Sequence, residues 1–381
     1  MSFSGTNPKF IAFYLPQYHP IPENDEWWGK GFTEWSNVTK AKPLFKGHYQ
    51  PRLPTDLGFY DLRLAEIREQ QAQLAKENGV HGFCYYHYWF GNGKQVLERP
   101  INEVIESGQP DLPFCFCWAN ESWEGRWYGV TNNKKTTLIK QEYPGDDDYR
   151  QHFAYLLKAF KDSRYITVDG KPLFQVFCPH LIPDAKKFST LFRQLAAENG
   201  LPGIYLVGGQ KTPFGWNPIE NGFDSIMSTS FSHAINEAKP LPHKMLDFLW
   251  ENKLSYTLFS KGKSMNKVTF YDYNNVVDCM NTVHAEETKN NYPVFPVVIN
   301  DFDNTARAGK KGVVFLNSTP EIYSEHVKAA IKTIEHFKQE EQIIFIKSWN
   351  EWAEGNYLEP DSKFGHQYLD VIAHLMNKNG Q

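Results

Sequence analysis

Eight short apolar runs, with helical stretches between most of them, limit how this chain can fold more than any other feature. They cover residues 10–18, 80–86, 113–118, 172–177, 204–207, 225–227, 294–299 and 343–348. Runs of this length, rich in β-branched and aromatic residues, read as strands buried on both faces. The clearest helical stretches are 61–78, 149–162, 185–199, 242–259, 321–339 and 366–377. Glu77-Asn78-Gly79 and Glu198-Asn199-Gly200 are matching stops, each with glycine where a left-handed cap belongs. Residues 165–174 predict a hairpin turning at Asp169-Gly170. The competing architecture is a doubly wound sheet. However, no G-x-G-x-x-G follows a strand, and polar–aromatic clusters follow strands at both ends of the chain. A barrel gathers its strand ends on one face, where such clusters converge. The expectation is an α/β fold, one (β/α)8 (TIM) barrel domain over residues 1–381 with long βα loops forming the cleft.

Composition excludes several alternatives. Formal net charge is -4 with both signs spread along the chain, unlike the concentrated basic surface of a nucleic-acid binder. The basic residues 261–267 read as a solvated loop. The five cysteines are scattered and odd in number, four of them in or directly after predicted strands, which predicts buried free thiols in a reducing compartment. No apolar stretch approaches the ~18 residues needed to span a bilayer, and no leader pattern opens the chain, so a cytoplasmic protein is expected. Metal-binding His-Glu-x-x-His, paired CxxC, P-loop and Gly-x-Ser-x-Gly patterns are absent, so neither metal nor cofactor is expected.

What remains is concentrated after the strands. The first leads into Tyr18, His19 and a long loop holding Trp27, Trp28, Glu34 and Trp35, which predicts a wall or lid. The second ends in Tyr86 and His87, the latter either positioning a ligand or satisfied in the core. The third ends in Trp118, Asn120, Glu121 and Trp123, with Glu121 a rival catalytic acid, a hydroxyl-binding group, or a loop acid paired, for instance, with Arg126. The seventh ends in Asn300-Asp301-Phe302-Asp303, read as hydroxyl binding or structural capping in preference to a metal site. Asp146-Asp147-Asp148 reads as complementing a helix dipole.

The eighth run carries Trp349-Asn350-Glu351-Trp352-Ala353-Glu354-Gly355. Aromatic faces and planar polar groups bind sugars, and paired carboxylates typically break glycosidic bonds. Three residues apart, Glu351 and Glu354 point to opposite faces of a strand but meet at ~5–6 Å between Cβ atoms in a turn or short helix. Close approach disfavours joint ionisation and leaves one acid protonated. Either both acids are catalytic, or one is and its neighbour binds an amide or an arginine. The expected partner is a poly- or oligosaccharide.

Asn350-Glu-Trp-Ala-Glu-Gly355 resembles the catalytic signature of glycoside hydrolase family 99, the endo-α-mannosidases. Phe13 to Pro20, Trp28 to Trp35, Gly82 to Trp89 and Trp118 to Trp123 are similar to motifs of the related WbsX-like proteins of bacterial polysaccharide clusters, so the resemblance spans nearly the whole chain. It implies a retaining, metal-free hydrolase of α-linked glycans. In that mechanism Glu351 would take the proton of the sugar's own 2-hydroxyl, which attacks the anomeric carbon to give a 1,2-anhydro sugar. Glu354 would protonate the leaving oxygen and later activate water. Ala353 and Asn356-Tyr357 depart from the mannosidase pattern and bear on the substrate. Competing readings are a glycosyltransferase or transglycosylase of lipopolysaccharide or capsule assembly, and a non-catalytic glycan-binding barrel.

Overall fold

The computed structural model describes residues 8–125, 137–238 and 268–377. Its core is a parallel barrel of eight strands: β1 (Lys9–Tyr14), β2 (Gly82–His87), β3 (Phe114–Trp118), β4 (Lys171–Val176), β5 (Tyr205–Gly208), β6 (Ser225–Met227), β7 (Val294–Phe295 and Val297–Ile299) and β8 (Ile343–Lys347). Each pairs in parallel with the next, and β1 pairs with β8 in the register Lys9↔Ile343. Closure falls on β7, which Pro296 divides. Its first half pairs with β6 and its second with β8, while the Pro296 carbonyl accepts from the Phe345 amide at 3.0 Å. Proline supplies an acceptor but no donor, so a strand switching neighbours tolerates it there.

The eight expected strands are all found, and β8 and β2 are buried at every position, as two-faced burial requires. β1 stops at Tyr14 because Pro16 cannot continue the ladder; the Tyr18 amide turns back to the Pro16 carbonyl. The outer helices are α1 (Ala65–Glu77), α2 (Arg99–Ser107), α3 (Asp146–Phe160), α4 (Ala185–Glu198), α5 (Ser230–Glu237), α6 (Tyr273–Glu287), α7 (Pro320–Ile334) and α8 (Gln367–Asn377). Gly79 and Gly200 adopt φ of 78° and 77°, ending α1 and α4 as expected. Asp146, Asp147 and Asp148 fill the first turn of α3. Asp169 and Gly170 both take positive φ, which builds the expected two-residue hairpin before β4. A 3-10 turn, Ile219–Asn221, replaces a helix between β5 and β6.

α2, α5 and α6 were not among the expected helices. α6 had a readable signal in Asp272, whose carboxylate accepts from the Asn274 and Asn275 amides as an N-cap. The predicted helix 242–259, the basic loop 261–267 and the residues Arg126 and Trp127 lie outside the described residues. All five cysteines are free, four of them buried. Among the described residues no helix is long and apolar enough to cross a membrane.

Neighbouring strands approach most closely where a side chain is missing. A Cβ on Gly82 would sit 2.3 Å from the Pro113 carbonyl oxygen. Gly82→Ala is therefore expected to lower unfolding stability by about 1–3 kcal/mol in urea titration, and an unchanged midpoint would contradict this packing.

Candidate active site

A cleft opens at the C-terminal mouth of the barrel, with about 920 Å³ between its walls, part of it open to solvent. Six expected residues line it: Trp28, Tyr86, Glu121, Trp123, Glu351 and Glu354. Trp28 comes from the long loop after β1, so that loop forms a wall as expected. Trp123 packs edge-on to Tyr88 and Trp27, with ring centroids 5.2 and 6.1 Å away.

The two acids sit on a tight hairpin beyond β8. Asn350–Glu351 pairs antiparallel with Asn356–Tyr357, and the 3-10 turn Trp352–Glu354 lies between them. This turn brings the carboxyls within hydrogen-bonding reach of each other. Gly355 closes the hairpin at φ 59°, where a Cβ would lie 2.9 Å from both Arg52 and Asp303. Left-handed backbone and lack of space both require glycine there. Asn350 fixes the hairpin to β1: its Oδ1 accepts from the Leu15 amide at 2.7 Å and its Nδ2 donates to the Leu15 carbonyl at 3.1 Å. The Tyr18 hydroxyl donates to the Asn350 carbonyl.

Three charged residues complete the floor; Arg307 and Lys347 escaped sequence reading, and Glu34 was expected only as part of the loop wall. Arg307 donates from Nη1 to Glu354 at 2.7 Å and from Nε and Nη2 to Glu34 at 2.9 and 2.5 Å. Lys347 Nζ donates to Glu354 at 3.2 Å. The same cations stand farther from Glu351, at 4.0 and 3.8 Å. Lys347 had a signal, a lone charge ending an apolar strand, and Glu34 lay inside a quoted motif. Arg307, in the short helix Thr305–Ala308, had none. Two cations thus face three buried carboxylates, and the cluster is neutral when it holds one proton. Burial and the neighbouring Glu354 push Glu351 up, whereas for Glu354 burial is outweighed by Lys347 and Arg307, which hold it down. Of the pair, Glu351 is therefore the acid favoured to hold a proton, and burial raises Glu34 as well.

The other expected contact residues are buried behind the cleft, most of them hydrogen-bonded within the protein. His87 is buried against His152, Nε2 to Nε2 at 2.8 Å, and burial pushes it down to about 3, so it is neutral and structural. His19 is 2% exposed and pushed down to about 4 by burial. Trp118 donates to the Trp89 carbonyl, and Asn120 binds both the amide and the carbonyl of Cys178. Asn300 donates to the Tyr357 carbonyl at 2.6 Å. Asp301 is held by Arg52 and Ser318, and Asp303 by His48 and Gln50, which favours capping for this triplet. Tyr18, Trp349, Asn350 and Trp352 lie beneath the acid hairpin, at most 1% exposed. Direct sugar contact expected of these residues gives way to support, because they are buried away from the cleft and most of their polar atoms already serve the backbone and one another. Glu121 is at the rim, paired with Lys211 at 2.6 and 2.8 Å. Among the described residues no group of three or more His, Cys, Asp or Glu side chains could hold a metal ion.

The fold is a (β/α)8 barrel, the architecture of the solved structures on which it superposes. The structure superposes on a family 99 endo-alpha-mannosidase from Bacteroides thetaiotaomicron in complex with bis-tris-propane. The TM-score is 0.58 at 15% identity, over 98% of both chains. A second structure of the endo-alpha-mannosidase from that organism gives 0.56 at 17% identity over 98% of both chains. A glycoside hydrolase-like protein gives 0.60 at 14%, over 98% of this chain and 94% of its own. At these identities the likeness is one of fold. The family model described as glycosyltransferase WbsX matches residues 10–372, and the chain belongs to that family. It is also 36% identical over 371 residues to the uncharacterized protein WxcX of Xanthomonas campestris pv. campestris strain B100, covering 97% of this chain and 49% of that protein. The chain spans about half the length of the curated relatives it matches.

Behind the hairpin lies a further carboxylate. Glu359 accepts from Trp352 Nε1 and Gln71 Nε2 at 2.6 Å and from the Tyr60 hydroxyl at 2.9 Å, yet burial still pushes it up to about 7. A raised carboxyl stabilises the fold fully below its unfolded value, ~4.3, and that contribution is lost as pH rises through about 7. Buried histidines such as His87 titrate with the opposite sign, so the informative quantity is the difference from Glu359→Gln. The stability advantage of wild type over this variant should shrink from pH 5 to 8 in urea titrations; a constant difference would contradict it.

Proposed function

We propose that this protein is a retaining glycoside hydrolase of the endo-α-mannosidase kind. It acts on an α-linked bacterial polysaccharide or oligosaccharide, with the sugar's own 2-hydroxyl participating. The observation that carries the reading is the hydrogen-bonded pair Glu351 and Glu354 on the floor of an open cleft walled by Trp28, Tyr86 and Trp123. An inverting enzyme needs ~6.5–9.5 Å between its carboxyls to admit a water. Carboxyls in contact leave no such gap, which supports retention. Glu351 takes the proton of the 2-hydroxyl as that oxygen closes on the anomeric carbon, and Glu354 protonates the departing oxygen. Water then opens the 1,2-anhydro ring as Glu354 removes its proton and Glu351 returns one to the 2-oxygen. The aromatic wall supplies flat faces for sugar rings and leaves room along the cleft for an extended chain.

The family's description favours a second reading, transfer of the glycosyl group to a sugar hydroxyl in place of water. The same pair would serve it. Transfer from a nucleotide sugar is less well supported, because Arg307 and Lys347 are already balanced by Glu34, Glu351 and Glu354 and leave little positive charge for a diphosphate.

The test is release of reducing ends from a panel of bacterial polysaccharides, with and without nucleotide sugars. Cleavage without nucleotide sugar is expected, and Glu351→Gln and Glu354→Gln should each lower it by about 10²–10⁴-fold. Turnover that strictly needs a nucleotide sugar would overturn the hydrolase reading.

A further inference from the structure

We propose that Lys347 and Arg307 are positioning residues that make the resting acid pair adopt the protonation state it needs after bond cleavage, with Glu351 protonated and Glu354 anionic. The inference rests on the hydrolase reading above and deepens it. Its geometric basis is the asymmetry of the cations. Both contact Glu354, at 2.7 and 3.2 Å, and both stand back from Glu351, at 4.0 and 3.8 Å. The remaining titratable groups facing the pair do not undo this asymmetry. Glu34 takes the other side of the Arg307 guanidinium, and Tyr86, from β2, stays a neutral phenol because burial and both glutamates push it up.

The consequence concerns the order of proton movements. In the first step Glu354 gives its proton to the leaving oxygen while Glu351 takes one from the 2-hydroxyl. The pair begins and ends that step with one proton in total, moved from Glu354 to Glu351. The product arrangement is the one the two cations hold in the empty cleft. Lys347 and Arg307 therefore strengthen Glu354 as an acid by stabilising the carboxylate it becomes. They also leave the free enzyme in the state that opens a 1,2-anhydro sugar: anionic Glu354 to take a proton from water, protonated Glu351 to return one to the 2-oxygen. For the forward reaction the substrate's arrival must first move the proton from Glu351 to Glu354, across the hydrogen bond that already joins them.

Carbon-13 NMR of protein labelled at the glutamate side-chain carboxyls reads this without any turnover, with Glu351→Gln and Glu354→Gln assigning the signals. At pH 7 the free wild-type protein should show a protonated carboxyl that disappears in Glu351→Gln, while the Glu354 signal stays that of a carboxylate well into acid. In Lys347→Met the Glu354 midpoint should rise by about 1–3 pH units, and Lys347→Arg should restore it. If Lys347→Met does not fold, the wild-type assignment decides alone. A proton on Glu354 in the free wild type, or a Glu354 midpoint indifferent to Lys347, would overturn the proposal. Because the readout is spectroscopic, the predicted titration without polysaccharide cleavage would count against the hydrolase reading and leave the charge assignment standing.

Discussion

Taking three carboxylates out of water beside two cations is the condition around which the mouth of this barrel is organised. An isolated buried charge costs several kcal/mol even after relaxation, so Glu34, Glu351 and Glu354 are tolerable only with Arg307 and Lys347 in contact and one proton retained. That requirement ties together parts of the chain far apart in sequence. Glu34 comes from the loop after β1, Arg307 from the segment after β7, Lys347 from the end of β8, and the acid pair from the hairpin beyond it. Moving any one of them would leave a buried charge uncompensated. Removing a single partner of such a cluster typically costs ~3–5 kcal/mol. The cleft floor is therefore rigid for an electrostatic reason as well as a packing one.

Around this cluster stands a shell of side chains whose task is to hold backbone. Asn350 acts as a peptide mimic between β1 and the hairpin, and Tyr18 and Trp352 close its underside. Asp301 and Asp303 draw Arg52, His48 and Gln50 beneath Gly355. These residues are polar or aromatic and follow strands, which is also the appearance of a sugar-binding residue. Their burial distinguishes the two, and burial beyond a strand end depends on loops that arrive from elsewhere.

This sets what could be read from the sequence. Eight two-faced apolar runs announced the barrel, and local chemistry announced the caps at Gly79 and Gly200 and the turn at Asp169-Gly170, since each depends on a few adjacent residues. The acid pair was legible because three-residue spacing ahead of a glycine allows few geometries. Division of β7 at Pro296 was not legible, because closing the barrel is a property of all eight strands. Arg307 was invisible for a similar reason: nothing in the short polar segment around it says which buried acids it will meet. Seven of the ten aromatic and amide candidates do not line the cleft, since sequence position gives the end of a strand but not whether that end is covered.

The central claim is that two touching carboxyls at the mouth of this barrel break an α-glycosidic bond with retention. Proton NMR of the anomeric region, recorded during the first minutes of cleavage of a responsive polysaccharide, tests it most directly. The account predicts that the first-formed reducing end is the α-anomer, relaxing afterwards to the equilibrium mixture. A β-anomer formed first would require a water between the two carboxyls and would contradict the account.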